Sequence, residues 1–233
     1  MPRTAFAAMS LAAGLTAAGL CLAPPAAADP VVVALWHLDE ASGATVMVDS
    51  VGSHNGAITG GVTEDVHPAV SGGAYQFTGT KPIVKVPSTD DLNPYGNPLT
   101  LSAWLDVPST LGAGDYNVLQ KGSATASGGA YKLEIVGTRS SGKFGYPDCA
   151  FNSPGGLKNR VFGPLKLTDD SWHEVQCHLT STQAYVTVDG VSGKPIARTV
   201  GSIANTAELT LGGKPTNTHF FDGRVDEVSI TIG

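Results

Sequence analysis

From residue 31 onward the chain alternates. Leu99, Leu101, Ala103, Leu105 and Val107 are apolar at every second position, with Thr100, Ser102 and Asp106 between them. A two-residue period places successive side chains on opposite faces of a strand. The same rhythm recurs in Val31–Leu38, Ala74–Phe77, Ile83–Val86, Asn117–Gln120, Tyr131–Val136, Trp172–Leu179, Ala184–Val188, Glu208–Leu211 and Val225–Ile232, punctuated by Gly, Pro, Asn and Asp. No helical period persists after residue 30. Strands with one wet face, separated by frequent turn residues, predict an all-β fold: a two-sheet antiparallel jelly-roll sandwich. The segments 122–129 (GSATASGG) and 152–159 (NSPGGLKN) read as loops.

The period also decides a motif that suggests a metal. His173-Glu174 followed by Cys177 and His178 approaches the H-E-x-x-H zinc pattern, which requires a helix so that residues four apart share a face. In a strand His173 and His178 point to opposite sides of the sheet. Val175, Cys177 and Leu179 keep the apolar parity, and Ala184, Val186 and Val188 resume it before Asp189-Gly190. The stretch predicts a β-hairpin with a turn at that Asp-Gly pair, and no zinc centre.

The amino-terminal segment is of another kind. Arg3, an apolar run over residues 5–22 and the stretch Pro24-Pro25-Ala26-Ala27-Ala28 describe a secretory signal peptide, residues 1–28, cut after Ala28. Gly14, Gly19 and the following prolines disfavour a membrane span. Leu20 stands where a lipoprotein signal before Cys21 needs a small residue. The expectation is therefore a secreted chain. Residues 29–233 number 205 (233 − 28), enough for one sizeable domain.

Removing Arg3 from the 14 basic residues leaves 13 against 20 acidic, a net charge of −7. That balance argues against nucleic-acid or anionic-membrane partners and suits hard cations or neutral polymers. Cys149 and Cys177 are the cysteines left after residue 28. In an oxidising medium they are expected to pair, closing a loop of about 28 residues worth roughly 3 kcal/mol. Cys177 shares the apolar parity of its strand, so the expected disulfide is a buried staple.

A longer series of motifs carries a family resemblance. Trp36-His37-Leu38-Asp39-Glu40, Gly43, Asp49 and His54-Asn55-Gly56 open it, followed by Gly73-x-Tyr75-x-Phe77 and Leu99-x-Leu101-x-Ala103-Trp104. Then come Ser171-Trp172-His173-Glu174-Val175, Val188-Asp189-Gly190, Leu211-Gly212-Gly213, and Phe221-Asp222-Gly223-Arg224-Val225-Asp226-Glu227-Val228. In this order they resemble the laminin G-like jelly roll of the concanavalin A-like lectin and glucanase superfamily, across essentially all of residues 29–233. The resemblance implies fold more strongly than function, because that fold hosts lectins, adhesion modules, glycosidases and lyases.

Calcium is the first candidate chemistry. Asp226 has the parity of Val228, Ile230 and Ile232, so it is expected to face the apolar side, where an uncompensated carboxylate costs several kcal/mol. Jelly rolls bring first and last strands together, and the first segment supplies Asp39, Asp49 and Asn55, oxygen donors of the kind calcium takes six to eight of. Calcium binding in laminin G-like relatives implies the same role for Asp39, Asp49 and Asp226. The alternative has Asp226 met by Arg224 or a backbone amide, and Asp49 opening a turn.

Glycosidase chemistry needs paired carboxyls, as in an E-x-D-x-x-E strand, and no such run exists. Glu134 stands alone in its strand, Asp226 and Glu227 face opposite ways, and Glu40 and Glu174 have no partner at useful spacing. A lyase cluster from Tyr131, Tyr185 and His178 has no support in their spacing. Sugar platforms use exposed aromatic rings beside Asp and Asn, and Tyr95, Tyr116 and Tyr146 are loop aromatics in such settings. Trp36, Trp104 and Trp172 lie in strands as packing residues, and Lys158 and Arg160 add positive charge to a loop that could meet an anionic polysaccharide. The reading is a secreted, non-catalytic binding or adhesion module for a glycan or cell-envelope polysaccharide, with structural calcium and one disulfide. An extracellular glycan-active hydrolase or lyase, and an envelope protein–protein interaction domain, stand as the alternatives.

Overall fold

The computed structural model describes Met1 and residues 29–78, 80–123, 125, 127–137 and 142–233, so the expected signal peptide lies, Met1 aside, outside the described residues. In chain order the strands are β1 (Val31–Trp36), β2 (Val46–Met47), β3 (Gly56–Thr59), β4 (Val62–Thr63), β5 (Tyr75–Phe77), β6 (Ile83–Val86), β7 (Leu99–Asp106), β8 (Gly114–Gly122) and β9 (Ala130–Gly137). They continue as β10 (Pro147–Asn152), β11 (Lys158–Phe162), β12 (Trp172–Leu179), β13 (Gln183–Val188), β14 (Val191–Ser192), β15 (Ile196–Ala197), β16 (Leu209–Leu211) and β17 (Gly223–Ile232). Among the described residues the one helical segment is a 3-10 turn, Asp90–Leu92.

The strands form the expected two-sheet antiparallel sandwich. One sheet has nine strands, in the order β14-β13-β12-β7-β17-β5-β4, with β1 also on β17 and β15 on β13. The other has eight, in the order β11-β10-β9-β8-β16-β6-β3-β2. Alternation explains the layer between them. Leu99, Leu101, Ala103, Leu105 and Val107 are all at most 1% exposed, and Leu119, Leu133, Ile135 and Phe151 close over them from the other sheet. Each such buried side chain is worth about 1.5–3 kcal/mol in removed apolar surface.

The β12–β13 hairpin pairs Val175 with Val188 through to Leu179 with Ala184. His173 lies between Asp169 and Asp189, while the His178 ring stacks on Tyr185 at 4.5 Å. The strand reading of that segment therefore holds, and the imidazoles serve different neighbourhoods. Asp189 (φ 51°) and Gly190 (φ 75°) make the turn into β14, where two successive left-handed residues suit the twist of a tight hairpin.

Two strands depart from the sequence expectation. Residues 147–152 and 158–162 pair as β10–β11, so Lys158 and Arg160 belong to a strand and not to a loop. The period is hidden in Pro147–Asn152 because all but its last residue are buried, including Asp148 and Ala150 on the side away from the core. Gly155 (φ 85°) and Gly156 (φ 81°) supply the turn between the two strands.

Cys149 of β10 and Cys177 of β12 are disulfide-bonded, with Cα atoms 5.7 Å apart, and both are fully buried. The bond joins the eight-stranded sheet to the nine-stranded one through the core. Replacing both cysteines by alanine is expected to lower unfolding free energy by about 3 kcal/mol, read from urea denaturation with unchanged native circular dichroism.

Candidate functional site

Tyr131, Leu133 and Ile135 of β9, with Cys149 and Phe151 of β10, enter the core. By alternation Lys132, Glu134, Asp148 and Asn152 project from the opposite face of the eight-stranded sheet. Strand register then gathers residues far apart in sequence. Asn117, Glu134 and Asp148 are cross-strand neighbours on β8, β9 and β10. In the adjoining row Thr210, Gln120 and Lys132 lie side by side, continuing to Ala150 and Arg160. Polar residues on the outer face of a sheet ordinarily meet water. Here Asn117, Asp148 and Thr210 are 0% exposed, Glu134 4% and Gln120 5%.

The charges in this patch are paired. Arg160 donates from Nε to Asp148 Oδ2 at 2.6 Å, and its Nη2 lies 2.5 Å from the same oxygen and 3.3 Å from Glu134 Oε1. Lys132 completes the cluster with an ion pair to Glu134. Burial pushes the Asp148 carboxyl up to about 7; the Glu134 carboxylate beside it acts the same way and Arg160 opposes. Glu134 is held below its usual range because Lys132 and Arg160 outweigh its burial.

Pairing stops short of completion. Among the described residues Asn117 Oδ1, Gln120 Oε1 and Asp148 Oδ1 are buried and meet no hydrogen-bond donor. Each carries a desolvation penalty of about 1–3 kcal/mol until a donor arrives. Of these residues Gln120 reaches a hollow of about 140 Å³, lined also by Ser123, Ala130, Lys132, Asn152 and Lys214. The hollow presents two amides, a hydroxyl and two ammonium groups, a match for a ligand rich in hydroxyl groups.

Glu134 is thus not isolated, as its own strand suggested; Asp148 lies beside it on β10. The signal for this was the inward parity expected of a disulfide cysteine, which sends Asp148 outward, but nothing in the sequence sets the register of β9 on β10. The pair does not form a hydrolytic site as it stands. Retaining and inverting glycosidases hold two carboxyls about 5–5.5 Å or 6.5–9.5 Å apart around open space. Here a single guanidinium nitrogen contacts both groups.

The three tyrosines expected to form a sugar platform fall in different places. Tyr95 is exposed, tied by its hydroxyl to Asp90 and by its backbone to Ile203. Tyr116 pairs across the sheet with Ile135 and packs its ring partly on the core. Tyr146 lies beneath the Lys143 ammonium, 4.7 Å from the ring centre, in a groove at the sheet edge. Tyr116 and Tyr146 flank the β8 start and β10 start, whereas the segment bonded to Tyr95 sits by Gly128 at the far end of the same sheet. They do not make one platform.

The expected calcium donors are also separated by what they bind. Asp226 is fully buried and Asp49 6% exposed, yet both are met by N–H groups. Asp226 accepts from the backbone of Val70, Ser71 and Glu227 at 2.8–3.1 Å. Asp49 accepts from the backbone of Leu35, Val51 and His54 and from His54 Nδ1 at 2.7 Å, while Asn55 Oδ1 accepts from the Asp49 backbone. Four donors fill the lone pairs of Asp49, so it does not fit as a calcium ligand. Asp39 accepts from Gly73 N–H at 2.8 Å, in the segment that Asp226 also holds. Among the described residues no three His, Cys, Asp or Glu side chains converge as a metal site. A filled carboxylate and one short of donors look alike in sequence, which is why this distinction was not legible there.

A two-sheet jelly roll with a recessed polar face on one sheet defines the class of protein at hand. A family model described as the concanavalin A-like lectin/glucanases superfamily matches residues 77–231, and the chain belongs to that superfamily. No curated protein matches the chain. Among solved structures it is similar to the binding domain of Paraclostridial Mosquitocidal Protein 1 (TM-score 0.64, 14% identity, covering 87% of this chain and 48% of that one). It is also similar to the receptor binding domain of botulinum neurotoxin D (TM-score 0.62, 10% identity, 85% and 48% covered). A third is the binding domain of botulinum neurotoxin DC in complex with SialylT (TM-score 0.60, 9% identity, 85% and 47% covered). That same neurotoxin domain is also seen in complex with rat synaptotagmin II. The chain spans about half the length of these structures, and at such identities the likeness is one of fold.

His54 is 3% exposed and lies between Asp49 and Asp91, 2.7 Å and 3.0 Å from its ring nitrogens. Burial disfavours its charge, but the two carboxylates outweigh it and raise its pKa above 6.5. Asp49 is lowered from 3.8 to about 2, since its N–H donors and His54 outweigh burial. A raised histidine stabilises fully below its unfolded pKa and loses that contribution as pH rises through its folded value; a depressed aspartate loses its own as pH falls. Urea midpoints should therefore fall between pH 5.5 and 8.5, and fall less in His54→Gln. Other groups titrate over this range, so the difference between the two proteins isolates His54; identical slopes would show that its charge is not coupled to folding.

Proposed function

We propose that this chain is a secreted, non-catalytic glycan-binding module, and that the outward face of its eight-stranded sheet is the binding surface. One observation carries the reading: a hollow on this face is lined by the Gln120 and Asn152 amides, the Ser123 hydroxyl and the Lys132 and Lys214 ammonium groups. Sugar hydroxyls donate to amide oxygens and accept from amide N–H, hydroxyl and ammonium groups such as these. Membership of a superfamily of lectins and glucanases, and neurotoxin binding domains of like fold seen with SialylT and with synaptotagmin II, support a binding role. Export is proposed from the leader-like residues 1–28, and the buried Cys149–Cys177 bond suits an oxidising medium. Among the described residues no helix is long and apolar enough to cross a membrane.

Calcium enters the proposal only at Asp39 and Asp226, the two carboxylates that hold the segment 70–73. Two tests follow. Glycan-array retention by the wild-type protein should be saturable, without release of reducing ends, and Gln120→Ala should weaken it about tenfold while leaving the melting temperature in place. Absence of retention across a broad array would remove the glycan reading, and release of reducing ends would replace it with the catalytic one. For calcium, a melting temperature raised by calcium over EDTA, with the rise lost in Asp39→Asn, is expected; superimposable curves would exclude the ion from this segment.

A further inference from the structure

Resting on the glycan-binding reading, we propose that the groove at the edge of the sandwich takes an acidic sugar, a pyranose ring bearing a carboxylate or a sulfate. The groove runs between the end of β11 and the β14 turn. Glycines let the two sheets approach there: a Cβ at Gly193 would lie 2.9 Å from Phe162 O, and one at Gly163 would lie 3.2 Å from Val188 Cγ2. Its volume is about 410 Å³, within the about 300–1,000 Å³ of small-ligand sites.

The lining is chemically one-sided. Lys143, Arg160 and Lys194 stand around it with Tyr146, Phe162 and Pro164, and no carboxylate is among its lining residues. On a chain of net charge −6 this is a local gathering of cations, of which Arg160 is met from the sheet face by Asp148 and Glu134. Two of the cations are set over rings, Lys143 at 4.7 Å from the Tyr146 centre and Arg160 at 5.2 Å from that of Phe162. Arg160 is committed through Nε and Nη2 to Asp148 and Glu134, which leaves Nη1 without a protein acceptor among the described residues. Lys194 has no ion pair among the described residues.

An apolar sugar face can lie on the rings while its acidic substituent meets the ammonium groups and the remaining guanidinium edge. Arg160 also borders the polar face described above, so a chain of sugars can pass from the groove onto it. A neutral sugar would use the rings without engaging the cations. Of the three expected tyrosines, Tyr146 alone lines this groove.

The test is calorimetric titration of the full folded domain with oligogalacturonate, its methyl ester and a sulfated galactan oligosaccharide. Galacturonate, the sulfated galactan or both should bind, more weakly as salt rises, and the methyl ester should not. The first two ligands separate carboxylate from sulfate as the preferred charge. The double substitution Lys143→Gln/Lys194→Gln should weaken binding about tenfold or more, with an unchanged melting temperature, whereas Gln120→Ala should leave the acidic preference intact. Equal binding of the acid and its methyl ester, lost in Gln120→Ala but not in the lysine variant, would overturn the groove and keep the glycan reading. Failure of every glycan to bind would overturn both. So would selective capture of an acidic protein by the same lysines.

Discussion

Burying charge is the constraint on which this sandwich turns. A desolvated ion costs several kcal/mol unless hydrogen-bond partners replace its water. The chain meets that cost in two ways. Asp49 is closed off by four N–H donors, Asp226 is met by three backbone N–H groups, and Lys121, buried where its strand faces inward, is ringed by oxygens: Ser88 Oγ at 2.8 Å and the carbonyls of Asn205 and Ala207 at 2.9 Å. Burial lowers the Lys121 pKa to about 8, yet each of its contacts is with neutral oxygen. These groups fasten loops to strands. Asp148 and Glu134 are different: they depend on the side chains of Arg160 and Lys132, and Asp148 keeps one oxygen unmatched.

That difference links fold to site. Cys149 points into the core and is bound to Cys177, so β10 is held from behind across the sandwich. Its neighbour Asp148 necessarily emerges on the other face, opposite Glu134 on β9. The crosslink thus fixes the strand that presents the least satisfied carboxylate, and Arg160 on the following strand reaches back over it. A loop carrying the same residues would pay ordering entropy at each binding event, whereas residues on paired strands are already in place.

The sandwich was legible because alternation is a one-strand property. Leu99 to Val107 and Val175 to Val188 declare their buried faces without reference to any partner. The disulfide was legible for a similar reason, as one pair of cysteines remained once the leader was set aside. Strand register is not a one-strand property, so the row Asn117–Glu134–Asp148 was invisible, and Pro147–Asn152 hid even its strand because both of its faces are buried. The tyrosines show the converse error: Tyr95 and Tyr146 do lie outside the strands, but Tyr116 is part of β8, and the placement of all three depends on pairing. The parity of Val228, Ile230 and Ile232 pointed Asp226 inward, but the bulge between Asp226 and Ser229 sets it opposite Trp104 on the outer row of its sheet, where its charge must still be met because it is fully buried. Calcium was one answer, but backbone amides of Val70 and Ser71 supply another that sequence does not display.

Fold and function separate at the same boundary. The inward residues alone specify the jelly roll, which is how domains sharing 9–14% identity with this chain keep its shape. Outward residues are released from that duty, so what they do must be argued from their own chemistry. On the face of the eight-stranded sheet that chemistry favours holding a ligand over breaking it. An acid catalyst and its partner need a gap into which a sugar carbon or a water can enter, and here Arg160 occupies the contact between Asp148 and Glu134. The same guanidinium that denies the pair a hydrolytic geometry also lines the cationic groove, so the proposed glycan path from groove to sheet face turns on this one side chain.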